Sequence, residues 1–400
     1  MSTINPKEKV ERSKNLAPGY SLSNVLQSEE AVTRTIEMLL DWMDMYAESK
    51  KPMELDKYFT YAAFDVVGEV IFSKQFGFLK EGEDIGSAIS NSLALNAYAA
   101  IGGFLQPFNK IVANPFVTWL QVMPMGHLFN TTMKAINERE KNQDARFDIV
   151  AHWFRMLREH PERMRLRDIH AQSVTNVGAG SDTVSCGLQS FIYHMIRHPD
   201  AWQRVRAEIE SAKAEQGLCG DRVVSFEDAQ KLPYLQACIK EALRVFGPVP
   251  MGLPRVAPKE GLTIGDRTFP AGTILSINPW CMHYSKEFWG PDAHEFRPDR
   301  WLEDSIGAAE KYWMPVGLGL PPQHDQLLTI FEPQSLGRDT TLAPARMSPR
   351  LSFQRLPLPL FATTISARST RTRSGSGRHI SRWYRTRGLA TYRSGRLEGA

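Results

Sequence analysis

The chain has 400 residues, 42% hydrophobic and 23% charged, which is enough to bury a sizeable core and lies in the ordinary range of a soluble globular enzyme. Its net charge of +4 is unevenly divided, because the last 81 residues hold 13 Arg, no Lys and four acidic groups, a balance of +9 against −5 for residues 1–319. The four cysteines, Cys186, Cys219, Cys238 and Cys281, stand 33, 19 and 43 positions apart, which excludes a CxxC pair and paired-ligand zinc spacing.

No apolar run follows Met1, so a signal peptide or N-terminal anchor is not expected. In chain order, Val32, Ile36, Leu39, Leu40 and Met43 keep helical spacing and predict a helix from Glu29 to Ala47. A second follows from Leu55 to Phe72. Ile111 to Met133 lacks Asp, Glu, Lys and Arg, but Asn114, Pro115, Gln121, Pro124, His127 and Asn130 make it too polar to cross a bilayer. It reads as a substrate-facing or membrane-skimming segment.

Further helices are predicted over Ile149 to His160, over Asp168 to His198 with Pro199 as the stop, and over Ala201 to Ala214. Pro233 opens another, Tyr234 to Phe246, since proline suits a first helical turn. Beyond Gly247 the pattern turns strand-like. LTIGDRTF and GTILSIN, separated by Gly-Asp and Pro-Ala-Gly turn signals, predict a hairpin beside a mostly helical body.

Three stretches carry the chemistry. Residues 178–185, GAGSDTVS, place glycines inside the long helix, where each costs about 1 kcal/mol against alanine. Two readings stand side by side. In one, Ala179 and Gly180 leave room for a flat cofactor or a small gas molecule, with Asp182 and Thr183 supplying a protonatable group and a hydroxyl. In the other, the small residues make a kink or a packing face. In KEALRVFGP, residues 240–248, Glu241 and Arg244 are three apart and share a helix face, as a surface ion pair also would. In FRPDRW, residues 296–301, Arg300 either sits in a solvated basic loop or reaches Glu241 and Arg244 to share one carboxylate between two guanidiniums.

The order and spacing of these stretches identify a resemblance. The chain is similar to cytochrome P-450, a haem-thiolate monooxygenase, over roughly residues 7 to 319. AGSDT resembles the oxygen-groove motif of that family's central helix, EALR its Glu-x-x-Arg helix, PDRW its Pro-x-Arg-aromatic loop, and LPRVAP the strand whose arginine, here Arg255, binds a haem propionate. The closest likeness is to fungal microsomal members of the pisatin-demethylase sort. What the resemblance implies is a mainly α fold with a small β portion, the cytochrome P-450 fold, incomplete at both ends. It further implies haem as cofactor, insertion of one oxygen atom from O2 into a small apolar substrate, and electrons from NADPH through a cytochrome reductase. Asp182 and Thr183 become catalytic, Ala179, Gly180, Arg255 and Gly319 cofactor-binding, and Glu241, Arg244 and Arg300 structural. Full-length members sit on the cytosolic face of the endoplasmic reticulum membrane; a chain without an anchor is expected in the cytoplasm.

The resemblance breaks at the loop that should hold the iron ligand. YWMPVGLG, residues 312–319, starts that loop, but the family pattern then lays Pro321 on its arginine and Gln323 on its cysteine. A glutamine amide carries no thiolate charge, so no metal ligand is assigned. From Leu320 the Arg-, Ser- and Pro-rich composition lacks any sustained period, and residues 320–400 are expected to be a disordered tail, read out of frame or through an intron. Arginine clusters neutralise phosphates, yet the tail's aromatics are irregularly placed, and nucleic acid is not expected as a partner. A haem-free, non-catalytic remnant is therefore the alternative function.

Overall fold

The computed structural model describes residues 11–12, 14–94, 126–142, 148–252 and 254–315. Gly319, Gln323 and the Arg-rich tail lie outside the described residues, as does most of the expected substrate-facing segment. The fold is mainly α with a small β portion.

Helix α1 (Glu29–Glu48) carries Glu29 and Glu30 in its first turn, where the helix dipole favours acids, and buries Val32, Ile36, Leu39, Leu40 and Met43. Helix α2 (Leu55–Phe72) is buried on nearly every side from Tyr58 onward, and so lies in the interior. It stops at Ser73, which adopts φ 57°. The chain then turns around a buried carboxylate, because Asp65 accepts N–H bonds from Gly77 at 2.7 Å, Phe78 at 3.3 Å and Leu79 at 2.8 Å.

Helices α3 (Gly126–Lys141) and α4 (Ile149–Glu159) lead to α5 (Leu166–Arg197), whose 32 residues span about 48 Å at 1.5 Å each. Helix α5 packs along α2, α3 and α7 (Pro233–Val245), and so crosses the molecule's centre. Near its start, Gln172 and Asn176 each donate to the Tyr20 hydroxyl at 2.9 Å, pinning the Ala17–Tyr20 turn to it. Burial raises the Tyr20 phenol, and the bonds with Asn176 and Gln172 offset only part of that rise. Pro199 does not merely stop α5; His198 closes it and caps α6 (Pro199–Gln216), with proline in that helix's first turn.

The strands correct the single-hairpin expectation. LTIGDRTF folds on itself, with β2 (Leu262–Ile264) antiparallel to β3 (Arg267–Phe269) around Gly265, whose φ of 61° suits glycine. The second piece turns away at Gly272, and β4 (Ile274–Leu275) pairs with β1 (Arg255–Val256), Arg255 opposite Leu275. The pairing is non-local, so no turn signal announces it. One apolar cluster joins α1 to α7, and a smaller one gathers Ala237, Trp289, Ala293 and Trp301 behind α7. Among the described residues, no helix is long and apolar enough to cross a membrane.

Candidate functional site

Helix α5 has two unlike sides. Ser173, Val177, Gly180, Val184 and Leu188 are buried. Ala171, Thr175 and Ala179 are exposed, and Asp182, Thr183 and Cys186 are half-buried, all at helical spacing along one stripe. A helix at the centre of a core would ordinarily be covered on all sides. The Thr183 hydroxyl donates back to the Ala179 carbonyl at 3.0 Å and lies 3.4 Å from that of Gly180. Asp182 accepts a 2.6 Å hydrogen bond from the buried Ser92 hydroxyl, which fixes the carboxylate at the edge of the stripe.

Ala179, Asp182 and Thr183 thus share the stripe, whereas Gly180 does not. A Cβ on Gly180 would lie 3.2 Å from Cγ2 of Val67 on α2. The missing side chain of Gly180 thus gives room to α2, and Ala179 supplies the small residue on the open side.

Behind α5, Glu241, Arg244 and Arg300 come together in the interior, all at most 3% exposed. Arg244 grips the carboxylate with two bonds of 2.9 Å, from Nε and Nη2, and Arg300 Nε adds one at 3.0 Å. The Arg297 backbone N–H and the Trp301 indole N–H each donate at 2.9 Å. Five donors therefore converge on two oxygens. Most of the remaining guanidinium hydrogens go to carbonyls, Arg244 Nη1 to His283 at 2.6 Å and Ala293 at 2.8 Å, and Arg300 Nη1 to Trp289 at 2.9 Å, while Arg300 Nη1 also meets the Asp292 carboxylate at 3.4 Å. Burial alone would raise the Glu241 carboxyl, but the Arg244 hydrogen bonds and the charges of Arg244 and Arg300 outweigh it and hold it below the ordinary value.

The chain reaches the glycine loop through Trp313, Met314 and Pro315. The Trp313 indole donates to the Lys240 carbonyl at 3.2 Å, and Val249 N–H to that of Pro315 at 3.4 Å. Gly247 lets this segment approach, since a Cβ there would lie 3.0 Å from the Pro315 carbonyl. Arg255 is half-buried on β1 and donates to the Pro254 carbonyl at 3.1 Å.

The stripe leaves one side of α5 uncovered, but the described residues do not supply a sulfur ligand for a haem iron. Burial and the Asp182 charge push the Cys186 thiol up to about 12, and it lies on the stripe itself, one turn past Thr183. Cys219 and Cys238 are buried in the core and raised by that burial, and Cys281 is exposed outside the loop. No group of three or more His, Cys, Asp or Glu among the described residues could hold a metal ion.

Four participants make contacts that the sequence did not announce. Trp301 follows Arg300 directly, so its aromatic character was visible but its bond to Glu241 was not. The Arg297 backbone donor, Ser92 and His283 act across 56, 90 and 31 positions, and no local pattern reports such contacts.

A helical body, an open small-residue stripe bearing an acid and a threonine, and a buried Glu-Arg-Arg cluster define a scaffold of the haem monooxygenase class. The cytochrome P450 family profile matches residues 5–320, and the chain belongs to that family. It is 32% identical over 299 residues to a cytochrome P450 monooxygenase of Aspergillus flavus, covering 71% of this chain and 58% of that protein. It is also 32% identical over 322 residues to the cytochrome P450 monooxygenase hepC of Aspergillus oryzae, covering 77% and 62%. A cytochrome P450 monooxygenase of Alternaria alternata is 30% identical over 318 residues, covering 76% and 84%. The chain thus spans about three fifths of the first two relatives. Haem is the family's cofactor.

Proposed function

We propose that this chain carries the oxygen-side face and the scaffold of a haem-dependent monooxygenase acting on a small apolar substrate in fungal secondary metabolism or detoxification. The observation that supports it is the open stripe of α5, where Ala179 keeps the surface flat while Asp182 and Thr183 place a carboxylate and a hydroxyl one residue apart. In such an enzyme haem supplies the oxygen chemistry: one atom of O2 enters a C–H bond and the other leaves as water, with two electrons from NADPH through a reductase. This chain's own residues would do the rest. Asp182, held by Ser92, and Thr183, bonded to the Ala179 carbonyl, hold and pass protons at the stripe. Arg255 pairs with a propionate, and Glu241, Arg244 and Arg300 fix the loop. Membrane attachment on the cytosolic face of the endoplasmic reticulum belongs to the same reading.

The second reading, a haem-free and non-catalytic chain, is favoured by one specific fact: the sequence has no cysteine after Cys281. Two measurements separate the readings. Haem added to the 400-residue chain, reduced and exposed to carbon monoxide, is expected to lack the absorption band of thiolate ligation, and its appearance would show that one of the four cysteines binds iron. A transcript that continues past codon 319 into Arg-x-Cys-x-Gly supports the enzyme. One that encodes the Arg-rich tail supports the haem-free chain.

A further inference from the structure

The Glu241 cluster and the entry to the glycine loop share a histidine that belongs to none of the motifs. His283 closes the short helix Pro279–His283 and is 2% exposed. Its carbonyl accepts Arg244 Nη1 at 2.6 Å, and its ring Nε2 accepts the Met314 backbone N–H at 2.8 Å. Because a backbone N–H can only donate, Nε2 must be unprotonated and the ring proton must sit on Nδ1. Trp289 packs edge-on against the ring at 6.4 Å and 87°. The next residue is tied as well, since the Tyr284 hydroxyl donates to the Val245 carbonyl at 2.8 Å.

We propose that His283 is a positioning residue: its ring sets the register of Trp313–Pro315 against the Glu241 cluster. One residue thereby joins the two. Its carbonyl is held by the arginine that grips Glu241, and its ring holds the chain three residues before the first glycine of the sequence stretch, Gly317. The Lys240 and Val249 contacts bracket Met314 without bonding its amide, so His283 decides where that amide sits. Burial, and after it the Arg244 charge, bring the ring down to about 4, so the acceptor stays available at neutral pH. The purpose of the loop rests on the reading given above, whereas the hydrogen bond and its test are independent of haem.

The test uses the 400-residue chain without haem. In His283→Phe, which keeps a ring but removes the acceptor, hydrogen exchange at Met314 is expected to quicken about tenfold or more while α7 stays within about twofold. In His283→Gln, whose side-chain oxygen can take the place of Nε2, protection at Met314 should return. Unchanged exchange at Met314 in the phenylalanine variant, or a rise shared equally by α7, would overturn the proposal. A measurement on the unaltered chain covers the case in which the variant does not fold. Ring 15N shifts of labelled histidine should show His283 with a bare Nε2 and no titration between about pH 5 and 8, where exposed histidines change. A protonated Nε2, or an ordinary titration, would equally overturn it.

Discussion

Ala179 and Gly180 are adjacent on α5 yet face opposite surroundings, one exposed and the other against Val67. Substitution should therefore separate them sharply. Ala179→Leu is expected to change stability by no more than about 0.5 kcal/mol, as at an ordinary surface position. Gly180→Leu should cost about 1–3 kcal/mol by overpacking the α2 contact. Adding Val67→Ala to Gly180→Leu should recover part of that loss, giving a coupling energy in a double-mutant cycle measured by urea unfolding. If Ala179→Leu proved the costly change, the stripe would be facing α2 and the assignment of sides on α5 would be reversed. The sequence pointed to this octapeptide because helix-interior glycine needs a reason. It left two reasons open, and the difference between them lies in α2, more than a hundred residues earlier.

At the scale of elements, periodicity served wherever one side of a helix meets the core. The span Leu55 to Phe72 was legible to the residue, and Pro233 to Val245 to within one at each end. It failed where pairing is non-local, as in β4, which joins β1 instead of the neighbouring hairpin. The Glu241 cluster shows the same division. Glu241 and Arg244 announce themselves by their spacing of three, but Trp301, Arg297 and His283 reach the cluster from segments 39 to 60 positions away. Since five donors meet one fully buried carboxylate, Glu241→Gln leaves Arg244 without its carboxylate partner, Arg300 with only Asp292, and turns an acceptor oxygen into a donor. A loss of about 3–5 kcal/mol is expected, read as a lowered thermal midpoint. Arg300→Lys should also be costly, because a lysine cannot bond Glu241, the Trp289 carbonyl and the Asp292 carbonyl from one planar group. A near-neutral Arg300→Lys would mean that charge alone, and not fork geometry, holds the loop to α7.

Across the whole molecule, a buried histidine, His283, and a half-buried one, His194, make stability depend on pH. His194 stacks flat on Phe296 at 4.8 Å and 4°, joining α5 to the loop that carries Arg297 and Arg300, while His283 joins that region to Met314. Both are brought down to about 4, His194 by burial and then the His198 charge, His283 by burial and then the Arg244 charge. The ordinary histidine value is 6.5, so between that pH and about 4 the unfolded chain binds protons that the folded chain refuses. Stability should therefore be at full strength above that window and fall as pH drops through it, by up to about 1.4 kcal/mol per pH unit for each histidine. Glu241 does not contribute there. Its folded value lies below the ordinary carboxylate range, so its share is lost only at lower pH. Urea unfolding at a series of pH values should accordingly show a falling midpoint below about pH 6.5, and His283→Gln should flatten that slope by about one proton's worth. A slope unchanged in His283→Gln would place the proton uptake elsewhere, and with it the ring that the 283–314 contact requires to be neutral.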